Sequence, residues 1–184
     1  SRKLAKSLRN GDLKSIFIPD KQQQEDKLLL RTRVCMVKKQ TSCKNQIKST
    51  LSFFGIFLTD EKIRSHWSKA YISWLRKISK PETSQGMRLI VFLDELEHLR
   101  KTIAKLTKQI RQLSTLPIYN RRVTLLRTIP GISILTAMTI LTEFGDFNVY
   151  SSIDKLCSYV GLTGDEDSSG DKEEKLGMTK RGNR

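Results

Sequence analysis

Long apolar runs, acidic residues and cysteines are all scarce in this 184-residue sequence. No apolar stretch approaches the ~18 residues that a bilayer span requires, and no hydrophobic signal segment opens the chain, which argues against a membrane or secreted protein. The three cysteines, Cys35, Cys43 and Cys157, have unrelated spacings. They form neither a disulfide framework nor a zinc motif, and they indicate a reducing, cytoplasmic location.

The shortage of acidic residues leaves a large positive charge. The chain has 34 Lys and Arg against 19 Asp and Glu, for a formal net charge of +15. Such a charge attracts polyanions, and because no amphipathic membrane anchor is evident, nucleic acid is the expected partner. The alternative is a basic protein that its charge merely keeps soluble. A hydrophobic fraction of 38% is enough for one domain or two small ones.

The first 20 residues read as the end of a larger α/β domain. Residues 1–8 form a helical pattern that stops at Asn10-Gly11, and the run from Ser15 to Ile18 is typical of a short edge strand closed by Pro19. So small a fragment cannot bury both of its faces. We therefore expect further strands upstream, and Ser1 is not expected to be the native start.

A strongly basic helix follows, from Lys21 to about Leu51. Its cations far outnumber Glu25 and Asp26, which favours a track for a nucleic-acid backbone over an ordinary solvated face. The candidate contacts are Arg31, Lys38, Lys39, Lys44 and Lys48. A shorter amphipathic helix ends near Pro81, and its aromatic residues at helical spacing (Trp67, Tyr71 and Trp74) indicate core packing rather than base stacking.

The most regular periodicity lies between residues 83 and 117. Apolar residues recur three and four apart over more than three heptads, which predicts a coiled coil that ends before Pro117. The seam comprises Leu89, Phe92, Leu96, Leu99, Ile103, Leu106, Ile110 and Leu113. Its partner is either a second copy or a helix of the same chain, and the unbroken seam favours dimerisation.

An apolar-Pro-Gly turn opens the next apolar helix. Ile129-Pro130-Gly131-Ile132 precedes a helix closed by Gly145, as in a helix-hairpin-helix element. In such an element, backbone N–H groups at a helix N-terminus meet a phosphate, and glycine permits close approach. Pro130 and Gly131 are therefore candidate nucleic-acid contacts. The alternative is a plain tight turn between packed helices.

After Gly164 the sequence turns polar and is expected to be irregular. A serine before a glycine in such a loop is ordinarily only a turn. The six acids around the serines indicate a solvated loop rather than a metal site, because consecutive acids point in diverging directions. His66 and His98 lie in helical regions elsewhere, so no Ser-His-Asp triad is expected.

Taken together, these motifs resemble the insertion-sequence 110/116/902 family of DEDD-type transposases. The resemblance covers essentially the whole chain. It is carried by Leu4-Ala5, Gly11, Pro19, Leu126, Ile129-Pro130-Gly131, Ala137, Gly145, Phe147, Tyr159-Val160-Gly161-Leu162, Ser169-Gly170 and Thr179-Lys180-Arg181-Gly182-Asn183.

The resemblance implies a mainly α architecture in three parts. Residues 1–82 correspond to the C-terminal remnant of an RNase H-like (RuvC-like) α/β domain with basic helices. Residues 83–117 correspond to a coiled coil, and 118–184 to a helix-hairpin-helix-like transposase domain. The family acts on DNA in the bacterial or archaeal cytoplasm, at the nucleoid, and is guided by an RNA from the element itself.

The resemblance also implies a divided active site. Four acids of the RuvC-like domain hold Mg²⁺, which assists phosphodiester chemistry, and a serine of the C-terminal domain attacks DNA. Ser169 takes the place of that nucleophile, with Ser168 as its close rival. Lys180, Arg181 and Asn183 match the family's basic motif, whose cations we expect to neutralise phosphate charge.

The sequence departs from the family pattern in three places. The last metal-binding acid of the family adjoins the position of Ser1, so no metal ligand is expected in this chain. Gly164 replaces a common proline, and the chain stops at Arg184, where the family pattern continues. Truncation at both ends is therefore expected, and this polypeptide by itself is not expected to catalyse the full reaction. The rival interpretations are a non-catalytic helix-hairpin-helix-type nucleic-acid-binding protein and a purely structural dimerisation protein.

Overall fold

A computed structural model describes residues 2–12, 18, 20–57, 67–169 and 172–178, with the backbone alone at 165–169, 172–176 and 178. These residues are mainly helical, which confirms the expected fold class. The helices are α1 (Arg2–Arg9), α2 (Lys21–Phe53), α3 (Lys69–Ile78), α4 (Ser84–Leu113), α5 (Pro117–Leu126), α6 (Ile134–Phe144) and α7 (Ile153–Val160). A 3-10 turn spans Phe147–Val149, and two strands, β1 (Gly164–Ser169) and β2 (Lys172–Met178), form an antiparallel hairpin.

Short polar side chains cap the N-termini of α2, α3 and α4. Asp20 accepts a hydrogen bond from the backbone N–H of Gln23 at 2.7 Å, where α2 begins. Ser68 and Thr83 cap α3 and α4 in the same way. Each cap satisfies one of the backbone N–H groups that the first turn of a helix leaves without a partner.

The chain divides into two compact units. One contains residues 20–143, and the other contains residues 1–19 together with 144–184. The domain boundaries expected from the sequence, at 82/83 and 117/118, stay predictions. The predicted run from Ser15 to Ile18 lies largely outside the described residues, and the RNase H-like remnant also stays a prediction.

The first unit is built on an antiparallel pair of long helices, α2 and α4. Arg33 Nε donates to Thr107 Oγ1 at 2.8 Å, and Arg88 Nε donates to Thr50 Oγ1 at 3.0 Å. Because the α4 partner number falls as the α2 number rises, the two helices run in opposite directions. All eight predicted seam positions of α4 are buried or half-buried. Within the described residues the seam packs on α2, which is the intrachain alternative that the sequence left open.

Two hydrophobic clusters lie at opposite ends of this helix pair. The first joins the C-terminal half of α2 to α3 and the N-terminal half of α4, and its buried members include Ile47, Leu75 and Leu96. The second joins α5 and α6 to the other end of the pair, and its members are Leu30, Ile110, Tyr119, Val123, Ala137, Met138 and Leu141. The aromatic residue Tyr71 is 3% exposed in the first cluster, as its helical spacing predicts.

The second unit contains an aromatic group and the hairpin. Tyr150 and Tyr159 have ring centroids 5.4 Å apart, and Phe144 packs against both rings. The helix α7 ends at Gly161, whose φ of 77° is the left-handed conformation that glycine favours. The expectation of irregular structure after Gly164 is wrong, because 164–169 and 172–178 pair as strands. These polar segments lack an apolar alternation in sequence, and they pair as antiparallel strands.

Candidate nucleic-acid interface and nucleophile

The two candidate nucleophiles lie at the end of β1. In the hairpin register Ser169 pairs with Lys172, and Ser168 pairs with Glu173. Successive strand positions belong to opposite faces of a sheet. The two serine positions therefore lie on different faces, with a cationic residue type opposite Ser169 and an anionic one opposite Ser168. Gly170, Lys180, Arg181 and Asn183 lie outside the described residues.

The predicted phosphate-approach turn joins α5 to α6. Pro130 and Gly131 are exposed, and Gly131 has a φ of 89° with no atom within 4 Å of the place where a Cβ would stand. Ser133 caps α6 by accepting a hydrogen bond from the N–H of Thr136 at 3.2 Å. An exposed turn without a side chain at its tip, placed just before a helix N-terminus, is suited to a phosphate group.

Arg31 serves the packing of helices as well as the basic surface. Its Nε and Nη2 donate to the two carboxylate oxygens of Glu143 at 2.8 and 2.9 Å, and Lys27 Nζ lies 2.9 Å from the same carboxylate. Burial would raise the pKa of Glu143, but hydrogen bonds from Arg31 and Lys27 outweigh burial and hold that pKa below its usual value. This ionised carboxylate therefore ties α6 to α2.

The remaining basic candidates of α2 differ in their surroundings. Lys38, Lys39 and Lys48 are exposed, and none of the three forms an ion pair within the part of the chain that the structure describes. Lys44 is half-buried, with its Nζ 5.6 Å from the ring centroid of Trp67. The free cations are thus Lys38, Lys39 and Lys48, whereas Arg31 and Lys44 contact neighbouring helices or rings.

Two acidic residues that the sequence analysis did not select hold the helices on either side of the Pro130-Gly131 turn. Glu143 is one, and Asp26 is the other, at 4% exposure. Tyr119 Oη donates to Asp26 Oδ2 at 2.7 Å, and Gln22 Nε2 donates to Oδ1 at 3.1 Å. Burial and the bond to Asp26 raise the pKa of the Tyr119 hydroxyl. The signal that could have identified Glu143 is its place as the single charge in the apolar helix α6.

The described residues offer no place for Mg²⁺. No group of three or more His, Cys, Asp or Glu among residues with described side chains could hold a metal ion. The Mg²⁺ that the resemblance implies stays a prediction. The same stretches of chain contain no helix long and apolar enough to cross a bilayer.

Comparison with known proteins agrees with the motifs. Residues 123–184 match the model of the transposase IS116/IS110/IS902 family. The matched segment contains the Pro130-Gly131 turn, the Ser168-Ser169 doublet and the Lys180-Arg181 pair. The C-terminal third of the chain is therefore similar to this transposase domain.

Relatives named as transposases extend the likeness over most of the chain. A protein of Sinorhizobium fredii, named as transposase y4qE, is 25% identical over 98% of this chain and 42% of its own length. The transposase for insertion sequence element IS1111A of Coxiella burnetii is 28% identical over 88% of this chain and 43% of its own length. A pilin gene-inverting protein of Moraxella bovis is 38% identical over 42% of this chain and 24% of its own length.

By these findings the chain is similar to insertion-sequence transposases of the IS116/IS110/IS902 family. The chain spans less than half the length of these two transposases.

Proposed function

We propose that the intact protein is a transposase that cuts and rejoins DNA, with Ser169 as the nucleophile. The observation that carries the proposal is the family match over residues 123–184, which contains both serines. The hairpin register supports Ser169 over Ser168, because Lys172 is the residue paired with it. A cationic residue type at the position paired with the nucleophile would favour the approach of an anionic phosphodiester.

In the proposed step, Oγ of Ser169 forms a bond to a DNA phosphorus. The bond from that phosphorus to the leaving deoxyribose oxygen breaks, the serine loses its proton, and the leaving oxygen takes one up as a hydroxyl. The resulting phosphoserine diester keeps the energy of the broken bond, so attack by a second DNA hydroxyl reverses the exchange and releases the serine.

In this proposal Mg²⁺ belongs to a segment upstream of Ser1. Two matched relatives are more than twice as long as the region they share with this chain, which leaves room for such a segment. The metal would assist phosphodiester chemistry when bound. No residue of this chain is assigned to the metal, and the chain alone is proposed to be inactive.

The basic elements are proposed to hold nucleic acid. The Pro130-Gly131 turn and the Lys180-Arg181-Asn183 motif would contact DNA, while the free cations of α2 would track a guide RNA encoded by the element. Assembly into a homo-oligomer through the helix pair that α4 forms with α2 is part of the same proposal, as is action on the nucleoid in the cytoplasm.

Serine replacement in the intact protein tests the nucleophile. Labelled target DNA is incubated with the parent protein and with Ser168→Ala, Ser169→Ala and Ser158→Ala, and covalent adducts are counted on a denaturing gel. We expect Ser169→Ala to abolish the adduct, and Ser168→Ala and the α7 control Ser158→Ala to retain it. Loss in Ser168→Ala alone would move the role to that residue.

The rival function is that of a non-catalytic nucleic-acid binder. The exposed Pro130-Gly131 turn and the free cations of α2 would also serve this function. It predicts binding that weakens steeply with salt and no covalent product from the intact protein. An adduct that depends on Ser169 would exclude it.

A further inference from the structure

A recess lies beside the C-terminal end of α2, outside the segment that matches the family model. Its volume is about 340 Å³, within the range of small-ligand pockets. Aromatic rings of Phe57, Tyr71 and Trp74 line it, together with Ile56 and the side chain of Lys48. The lining is thus largely apolar and aromatic, and it includes one cationic residue.

The aromatic residues form a continuous row. The ring centroids of Tyr71 and Trp74 are 5.6 Å apart with an interplanar angle of 31°, and those of Trp67 and Tyr71 are 5.5 Å apart at 78°. Lys44 lies over the Trp67 ring, and Lys48 follows one helical turn later at the recess. Two cations from α2 therefore accompany the row.

Core packing accounts for only part of this arrangement. Tyr71 is 3% exposed, and Trp74 is half-buried against the first hydrophobic cluster. Phe57, by contrast, is 75% exposed, although it lines the recess. Lys48 forms no ion pair with any residue described. Packing within the described residues therefore does not account for the exposed Phe57 or for the cation that lines the same recess.

A nucleotide carries the two features that complement this recess. Its base has a π-face that stacks on aromatic rings, and its phosphate attracts the lysine ammonium. A purely apolar peptide side chain would offer no negative charge to Lys48, and a basic side chain would be repelled by it. The net charge of +15 strengthens the preference for an anion.

We propose that the recess lined by Phe57, Tyr71, Trp74 and Lys48 binds one unpaired nucleobase of a single-stranded nucleic acid, with Lys48 on the adjoining phosphate. This site rests on the proposed function in one respect, namely that the chain binds nucleic acid. It identifies a base-stacking site on the helical unit, at a distance in sequence from the serines.

The test uses tryptophan emission in the full chain. Because the sequence contains two tryptophans, Trp67→Phe leaves Trp74 as the sole reporter. Single-stranded RNA and DNA of the same sequence, each about 12 nucleotides long, are titrated at several salt concentrations alongside duplex DNA. Each single strand is also prepared with abasic positions, which keep the phosphates and remove the bases.

Phe57→Ala is compared with Phe53→Ala in the same background. Phe53 is 83% exposed, belongs to the end of α2 and does not line the recess, so it is a matched control. We expect single strands to quench Trp74, and we expect Phe57→Ala to weaken their binding roughly 5- to 100-fold. Phe53→Ala is expected to leave affinity unchanged, and abasic strands should bind as weakly to the parent as intact strands do to Phe57→Ala. Thermal melting by circular dichroism checks that both variants remain folded.

The outcomes separate this site from the transposase reaction. Equal affinities of the Phe57→Ala and Phe53→Ala variants, or Trp74 emission unchanged at saturation, would overturn the base site while leaving nucleic-acid binding intact. Trp74 emission that changes with protein concentration, and not with added oligonucleotide, would assign the recess to a second copy of the chain. That result would also overturn the base site. Absence of the serine adduct would overturn the reaction and leave this site standing. Preference for RNA or DNA identifies the source of the base.

Discussion

The helical unit of residues 20–143 and the hairpin of residues 164–178 differ in what holds them together. The helical unit buries two apolar clusters and ties its helices with ion pairs around Glu143. The hairpin is defined by backbone pairing between polar strands that carry the serines. The residues that stabilise the fold and those proposed for the chemistry therefore lie in different parts of the sequence. Substitutions should accordingly affect stability and the reaction separately.

The largest stability loss is expected in the α4 seam. Leu96 is 0% exposed in the first cluster, so Leu96→Ala removes buried methyl groups and leaves a cavity. We expect a loss of about 2–5 kcal/mol in the free energy of unfolding, measured by denaturant titration. The control is Leu28→Ala, since Leu28 is 61% exposed and its truncation should change stability by less than about 0.5 kcal/mol. Equal effects of the two variants would contradict the packing of α4 on α2.

The carboxylate of Glu143 should give the next largest effect. Glu143→Gln keeps the shape of the side chain but removes the charge that pairs with Lys27 and Arg31. We expect the free energy of unfolding to fall by about 2–3 kcal/mol. This loss is smaller than that for a fully buried ion pair, because the Arg31 side chain is 53% exposed. Asp94→Asn, which alters an exposed pair with Arg76, is the control and should have little effect.

The same carboxylate predicts how stability depends on pH. The pKa of Glu143 is lower in the folded chain than its ordinary value of 4.5, so folding favours the ionised form. Its contribution is fully present above the unfolded pKa and is lost as the pH falls through the folded pKa. The stability difference between the parent and Glu143→Gln should therefore shrink below about pH 4. A difference that grows on acidification would contradict this account.

The helices were predictable from the sequence because their signals are local. Apolar spacing identified α4, the aromatic helix and the basic helix, and the turn at Pro130-Gly131 marked the start of α6. The Arg31–Glu143 contact was not predictable, because the two residues are 112 positions apart. The hairpin was missed because its acidic strands lack the alternation of apolar residues that normally predicts a sheet.

A smaller loss is expected where Tyr119 meets Asp26. Tyr119→Phe removes one hydrogen bond to a buried carboxylate, which keeps the bond from Gln22. We expect destabilisation by about 1–2 kcal/mol in thermal or denaturant unfolding. Tyr159→Phe, at a tyrosine that is 52% exposed, is the control and should cost less. An unchanged free energy of unfolding in Tyr119→Phe would mean that this contact does not hold α5 in place.

The smallest stability change is expected at the free cations of α2. Lys38→Gln and Lys39→Gln alter exposed side chains, so the free energy of unfolding should change by less than about 0.5 kcal/mol. Each should reduce the slope of log affinity against log salt by roughly 0.7–0.9 for every phosphate that the lysine neutralises in the parent. Lys77→Gln on α3 is the control. Identical slopes for all three variants would remove α2 from the proposed nucleic-acid track.

The most direct measurement is the location of the DNA-linked residue in the intact protein. The protein is trapped on its target DNA, digested with nuclease and protease, and the peptide that retains a nucleotide is sequenced by tandem mass spectrometry. The account predicts a nucleotide phosphate attached to Ser169. A nucleotide on any residue outside the Ser168-Ser169 doublet, or DNA cleavage without a linked peptide, would contradict it.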